Sequence, residues 1–182
     1  MFEHIRSSFM APARRFARAQ NGAAAVEFAL VAAPFLALVF AILETALIFF
    51  ASQTLEAAAT DSARLIMTGQ AQTAGYSKDD FKTAVCNRLA GGLFDCTNGV
   101  YVDVKTYTTF TAITATPPIT NGQLDTSNMV YTPGGPGDIV VVRLYYQWPI
   151  YVSMFSDNLS NLNGSKRLLV ATSVFRNEPY GS

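Results

Sequence analysis

Histidine and cysteine are scarce in this chain, with one histidine (His4) and two cysteines among 182 residues. That leaves little material for a zinc site or a Cys/His nucleophile. Charge is scarce as well, at 14%, where about a quarter is usual in globular domains. Thirteen basic and thirteen acidic residues cancel, which excludes the basic excess of a nucleic-acid binder. Half the residues are hydrophobic, unlike the polar, charged composition of a disordered chain. The length allows one ordinary domain with an appendage.

The apolar residues are concentrated in one run. Phe28 to Ala51 spans 24 residues, of which only Pro34, Glu44 and Thr45 are not apolar. As a helix it would be roughly 36 Å long, enough for a hydrocarbon core of about 30 Å. Pro34 is tolerable in such a helix, because lipid offers the backbone no competing partner. Arg6, Arg14, Arg15 and Arg18 precede the run against one acid, Glu3, and the next basic residue after it is Arg64. By the positive-inside rule the N-terminus stays cytoplasmic and the remainder is exported. A cleaved secretory signal would have a shorter apolar stretch followed closely by a small-residue cleavage site. Here Ala57-Ala58-Ala59 comes too late and continues a helical pattern.

The start of the run reads Gln20-Asn21-Gly22-Ala23-Ala24-Ala25-Val26-Glu27-Phe28. Glu27 is an ionisable group at the cytoplasmic edge of a membrane helix, where it needs a partner. A cut after Gly22 would leave an ammonium on Ala23. Residues four apart share a helix face, so that amine and Glu27 would be within reach of each other or of a neighbouring subunit's groups. Glu44 lies roughly 31 Å further along a straight helix and reads as a carboxylate at the outer membrane–water boundary.

These residues resemble the processing site of type IV pilin-like proteins, and the longer stretch 19–35 looks most like the TadE-like proteins of tight-adherence (Flp-type) pili. Ser-Val-Phe-Arg-Asn-Glu-Pro-Tyr at 173–180 also looks like that family's ending. The resemblance implies that a membrane aspartic prepilin peptidase cuts between Gly22 and Ala23. It also implies that Glu27, with its neighbour Phe28, directs charge pairing and assembly. Alanine at position 23 departs from the methylated phenylalanine of many type IV pilins. The major Flp pilins are also much shorter, which points to a minor component. Other pilin-like subunits, platform proteins and an assembly ATPase are the partners this resemblance implies, with the membrane itself.

Three segments result: a basic cytoplasmic leader over 1–22, a long helix over 23–67 that spans the membrane at about 28–51, and an exported domain over 68–182. Beyond the membrane, Ile48, Ala51, Leu55, Ala58, Ser62 and Leu65 recur at helical spacing opposite Gln53, Glu56, Thr60 and Arg64, an amphipathic face suited to packing on a domain. Gly69 is a stop for this helix. Ser77-Lys78-Asp79-Asp80 opens a second helix, which runs through Phe81, Val85 and Leu89 to Gly91-Gly92. Cys86 and Cys96 would form a disulfide in an oxidising periplasm. A redox pair would more typically be Cys-x-x-Cys, and a zinc site lacks its other ligands.

From Val100 the period is two, continuing toward Thr116, and Pro117-Pro118 ends that strand. Residues 117–137 read as a long polar loop. A second strand runs from Asp138 to about Gln147, with Pro149 marking an edge or turn. An Asn/Ser-rich stretch over 151–165 has room for a short helix, and Lys166 to Arg176 form a third strand. Such connections favour an antiparallel sheet, giving an α+β fold: a long N-terminal helix packed on a small sheet, as in pilins. Tyr145, Tyr146, Trp148 and Tyr151 fill the core or form a contact surface.

The exported residues offer no histidine and no catalytic constellation, so no enzyme activity, cofactor or metal is expected. The expected role is structural: a minor pilin-like component of the bacterial inner membrane, in assembly or priming of a tight-adherence pilus, with entry into the fibre left open. The alternative is a single-span anchored periplasmic adhesin or binding module.

Overall fold

The computed structural model describes residues 22–89, 92–152 and 159–180. The leader before Gly22 lies outside the described residues, as do Gly91 and the middle of the Asn/Ser-rich stretch. The chain divides into two compact units, Met1–Leu43 and Glu44–Ser182. The boundary falls inside one 45-residue helix, α1 (Ala23–Met67), which passes through Pro34 without ending.

In the first unit no described side chain is buried. Its large apolar residues stand in solvent all round the helix, among them Phe28, Leu30, Val31, Phe35, Leu38, Phe40 and Ile42. By length and composition this helix is able to cross a membrane.

In the second unit α1 becomes one-sided. Glu44, Ile48, Ala51, Leu55, Ala58, Ala59, Ser62, Ala63 and Ile66 are buried, while Gln53, Glu56, Thr60 and Arg64 are exposed. Small residues make up most of that stripe: Ala51, Ala58, Ala59, Ser62 and Ala63. After Met67 come α2 (Gln70–Thr73), α3 (Lys78–Cys86) and one turn, α4 (Cys96–Gly99). The expected start of α3 is observed as a reciprocal cap: Asp80 N–H donates to Ser77 Oγ at 3.2 Å and Ser77 N–H to Asp80 Oδ2 at 2.9 Å. The Ser77 hydroxyl, donating to Asp80 Oδ2 at 2.6 Å, and the Ser77 N–H hold the Asp80 carboxyl below its usual range. The helix ends at Cys86, short of the expected Leu89, where a disulfide to Cys96 ties it to α4 with Cα atoms 5.8 Å apart. Replacing both cysteines by serine should cost about 3 kcal/mol for a loop this short, read as a lower urea midpoint.

The sheet has the order β1-β4-β5, all antiparallel, with β1 at Val100–Tyr107, β4 at Ile139–Pro149 and β5 at Lys166–Arg176. Val102, Val104, Val140, Val142, Leu144, Trp148, Leu169 and Ala171 meet the buried stripe of α1 in one core. β1 stops at Tyr107, well before Thr116, because Tyr107 pairs with Ile139 and β4 has nothing further to offer. Pro149 does end a strand, but that strand is the central one, and Pro149 is its last residue. The expected loop 117–137 contains a two-residue hairpin, β2 (Ile119–Thr120) with β3 (Gln123–Leu124). Asn121 and Gly122, with φ of 53° and 72°, make the tight turn between them.

This connection covers the outer face of β1 and β4, where Tyr145, Leu162 and Leu168 form a second core with Ile119, Leu124 and Met129. Asp103 and Arg143, opposite each other in register, are both buried there. Asp103 accepts the Val130 N–H at 3.0 Å and pairs with Lys105 at 3.0 Å, and Arg143 donates to the Thr114 carbonyl. The aromatic run is thus divided by strand alternation: Tyr146 and Trp148 pack with Phe94 on the helix side, and Tyr145 packs on the other. Only Tyr151 remains exposed, at 69%.

Tyr131 packs its ring on Phe81 at 5.5 Å, but its buried hydroxyl has no partner among the described residues. Burial, with the nearby Tyr76 and Asp80 charges, pushes it up to about 12. The unfolded phenol ionises near 10, so this residue's contribution is intact below pH 10 and falls as pH rises toward 12. Tyr131→Phe should therefore leave neutral stability equal or higher and flatten the alkaline decline, as urea midpoints at pH 7, 10 and 11 would show.

Candidate functional site

Gly22 immediately precedes α1 and is exposed, and a Cβ built on it would meet nothing within 4 Å. Ala23 is the first helical residue, and Glu27 lies one turn further along. Both are exposed, as is Phe28 at 75%. The geometry therefore presents an accessible peptide bond at Gly22–Ala23, followed by a carboxylate near the helix N-terminus, where the helix dipole favours negative charge. No described atom blocks Gly22, and no buried packing depends on Phe28. An exposed apolar surface of this extent, rimmed by one carboxylate, is what a lipid or subunit contact requires.

Glu44 is the first residue of the second unit. It is 3% exposed and begins the buried stripe of α1, one turn before Ile48. Its two carboxylate oxygens accept the Tyr151 and Val152 N–H groups, each at 3.3 Å. The carboxylate thereby satisfies amides that follow the end of β4. The signal was present in the sequence, since Glu44 extends the spacing of Ile48, Ala51 and Leu55.

The chain's end forms a second constellation that spacing could not reveal. Glu178 N–H donates to the Met67 carbonyl at the exit of α1, at 2.9 Å. Buried Asn177 donates its side-chain amide to the Pro133 and Gly135 carbonyls at 3.0 and 2.9 Å. The Tyr180 ring covers Gly69, and its hydroxyl donates to the Gly134 carbonyl at 3.2 Å. Residues 177–180 thus clasp the end of α1 to the Pro133–Gly137 turn. The glycines of that turn bring carbonyls close enough for the clasp, and Gly134 has φ +69°.

Cys86 and Cys96 line a shallow surface depression with Asp79, Lys82, Thr83 and Thr97. Their bond to each other leaves no free cysteine among the described residues.

No curated protein and no solved structure matches the chain. The family model described as TadE-like protein matches residues 22–64, which begins at Gly22, includes Glu27 and Phe28, and covers most of α1. Over that segment the chain is similar to TadE-like proteins.

Proposed function

We propose that the protein is a minor pilin-like component that acts structurally in assembling or priming a tight-adherence pilus. The observation that carries this reading is the TadE-like match starting at Gly22, the residue after which a prepilin peptidase would cut. In this reading the peptidase removes residues 1–22 and the apolar part of α1 stays in the inner membrane, with the domain on the periplasmic side. Glu27 then meets the Ala23 amine of its own or a neighbouring subunit. Platform proteins and the assembly ATPase act on the processed chain. A structural rather than catalytic role also accounts for how the buried polar groups are used. Glu44, Asp103, Arg143 and Asn177 each hold backbone groups in place.

Mass spectrometry of the chain isolated from peptidase-containing cells tests the reading. A mature N-terminus at Ala23 is expected, shifting to Met1 when the peptidase is deleted. Intact residues 1–22 in peptidase-containing cells would refute it.

A further inference from the structure

Within the second unit the exposed side of α1 changes character. Leu47, Phe49 and Phe50 stand exposed, and beyond them that side turns polar at Gln53, Glu56, Thr60, Asp61 and Arg64. A helix surface that passes from apolar to polar within one turn marks where a span leaves lipid for water.

The other side of the same stretch is already covered. Glu44, Ile48 and Ala51 are buried in this unit, and Glu44 accepts the Tyr151 and Val152 N–H groups. The segment leaving β4 is therefore fixed beside helix residues that come before the change from apolar to polar. Glu44 precedes Phe50 by about 9 Å of helix, and each headgroup layer of a bilayer is roughly 5–8 Å thick. A domain carried on a free stalk would meet its helix only after that change, and this one meets it before.

Two features at that level suit lipid contact. Tyr145, Tyr146 and Trp148 are buried, but Tyr151 is the most exposed large apolar side chain among the described residues of this unit. Its ring is apolar with a polar tip, the character that favours the headgroup level. Backbone amides without partners are costly where water is scarce, and Glu44 supplies partners to the two that follow Ile150.

We infer that this end of the domain rests in the headgroup layer of the bilayer that α1 crosses, with Tyr151 as a lipid contact. The occupant follows from continuity. Leu47, Phe49 and Phe50 extend the apolar run 28–51 into the second unit, so the lipid that covers the run also covers them and reaches the residues fixed at Glu44. The inference rests on α1 spanning a membrane, and not on cleavage after Gly22 or on a pilus role.

The test uses the full chain in phosphatidylcholine vesicles that contain phosphatidylcholine with a nitroxide on the headgroup or deep in the acyl chain. Trp148 is the one tryptophan and is buried, so the parent chain supplies the background. Tyr151→Trp exchanges one exposed aromatic for another, with circular dichroism melts verifying the fold. Its emission should be blue-shifted and quenched by the headgroup nitroxide several-fold more than that of Phe110→Trp. Phe110 is also exposed, but follows the end of β1 that pairs with Ile139, the opposite end of β4 from Pro149. Phe35→Trp, in the apolar run, should be quenched best by the acyl-chain nitroxide and reports that α1 is inserted. Water-like, unquenched emission from Tyr151→Trp beside a quenched Phe35→Trp would overturn this inference alone. Water-like emission from both would overturn it together with the membrane span. Blue-shifted emission at position 151 that neither nitroxide quenches would mean that protein covers this residue, which also overturns it.

Discussion

A Glu27→Gln chain is expected to insert into the membrane and be processed normally, yet leave cells without assembled pili. Glutamine keeps the size and helix-forming tendency of glutamate and removes only the charge. Insertion should therefore be intact, by alkaline extraction and protease accessibility. In the proposed function, assembly would bring the Ala23 ammonium and the carboxylate together in a site walled by the apolar surface of α1, where Phe28, Leu30 and Val31 stand exposed in the single chain. Removing one partner of a desolvated pair costs about 3–5 kcal/mol, and each 1.4 kcal/mol is about tenfold. Subunit association should thus weaken by roughly a hundredfold or more. Glu56→Gln, on the exposed face of the same helix, should pilate normally and serves as the control. Wild-type piliation by electron microscopy in the Glu27→Gln strain would show that assembly does not use this carboxylate.

The second large effect is on stability. Gly69→Ala should lower the unfolding free energy by about 3 kcal/mol, from two separable causes. Gly69 has φ +76°, a left-handed conformation that costs an L-residue about 1–2 kcal/mol. Its new Cβ would also lie 2.2 Å from Tyr180 Cγ and 2.5 Å from both Cδ atoms. A clash at the root of the ring is not relieved by a ring flip. The tail itself has to move, disturbing Glu178 on Met67 and the Tyr180 hydroxyl on Gly134. For a chain of this size the melting temperature should fall by about 6–12 °C. Adding Tyr180→Ala removes the steric part, so the double variant should be more stable than the sum of the singles by about 1–2 kcal/mol. A Gly69→Ala melt within a degree of the parent would exclude the packing described for the clasp.

What could be read from the sequence is what depends on neighbours in the chain. The apolar run, the Ser77–Asp80 cap, the alternation of Val100, Val102 and Val104, and β5 at Lys166–Arg176 all follow from local periodicity and capping chemistry. The Gly22–Phe28 motif was legible as residues, and the structure adds its exposure. Whatever needs a distant partner was hidden. Glu44 is explained only by the Tyr151 and Val152 amides, buried Asp103 only by Val130 and Lys105, and Asn177 only by the Pro133–Gly137 turn. The length of β1 was also misjudged for this reason, because the start of β4 decides where pairing stops.

The clasp at residues 177–180 also orders events in time. α1 precedes every strand of the sheet and residues 177–180 follow them all, so the amphipathic half of the helix must wait for the strands between them. Until then the stripe from Ile48 to Ile66 has no sheet to cover it, since its main covering strand, β4, pairs on both sides with strands far away in sequence. Contacts of such long separation form slowly, and an apolar helix left open in the meantime is prone to associate wrongly. Residues 177–180 therefore act as a completion signal: a protein cut short before Asn177 would retain β1 to β5 and still lack the residues that lock its helix.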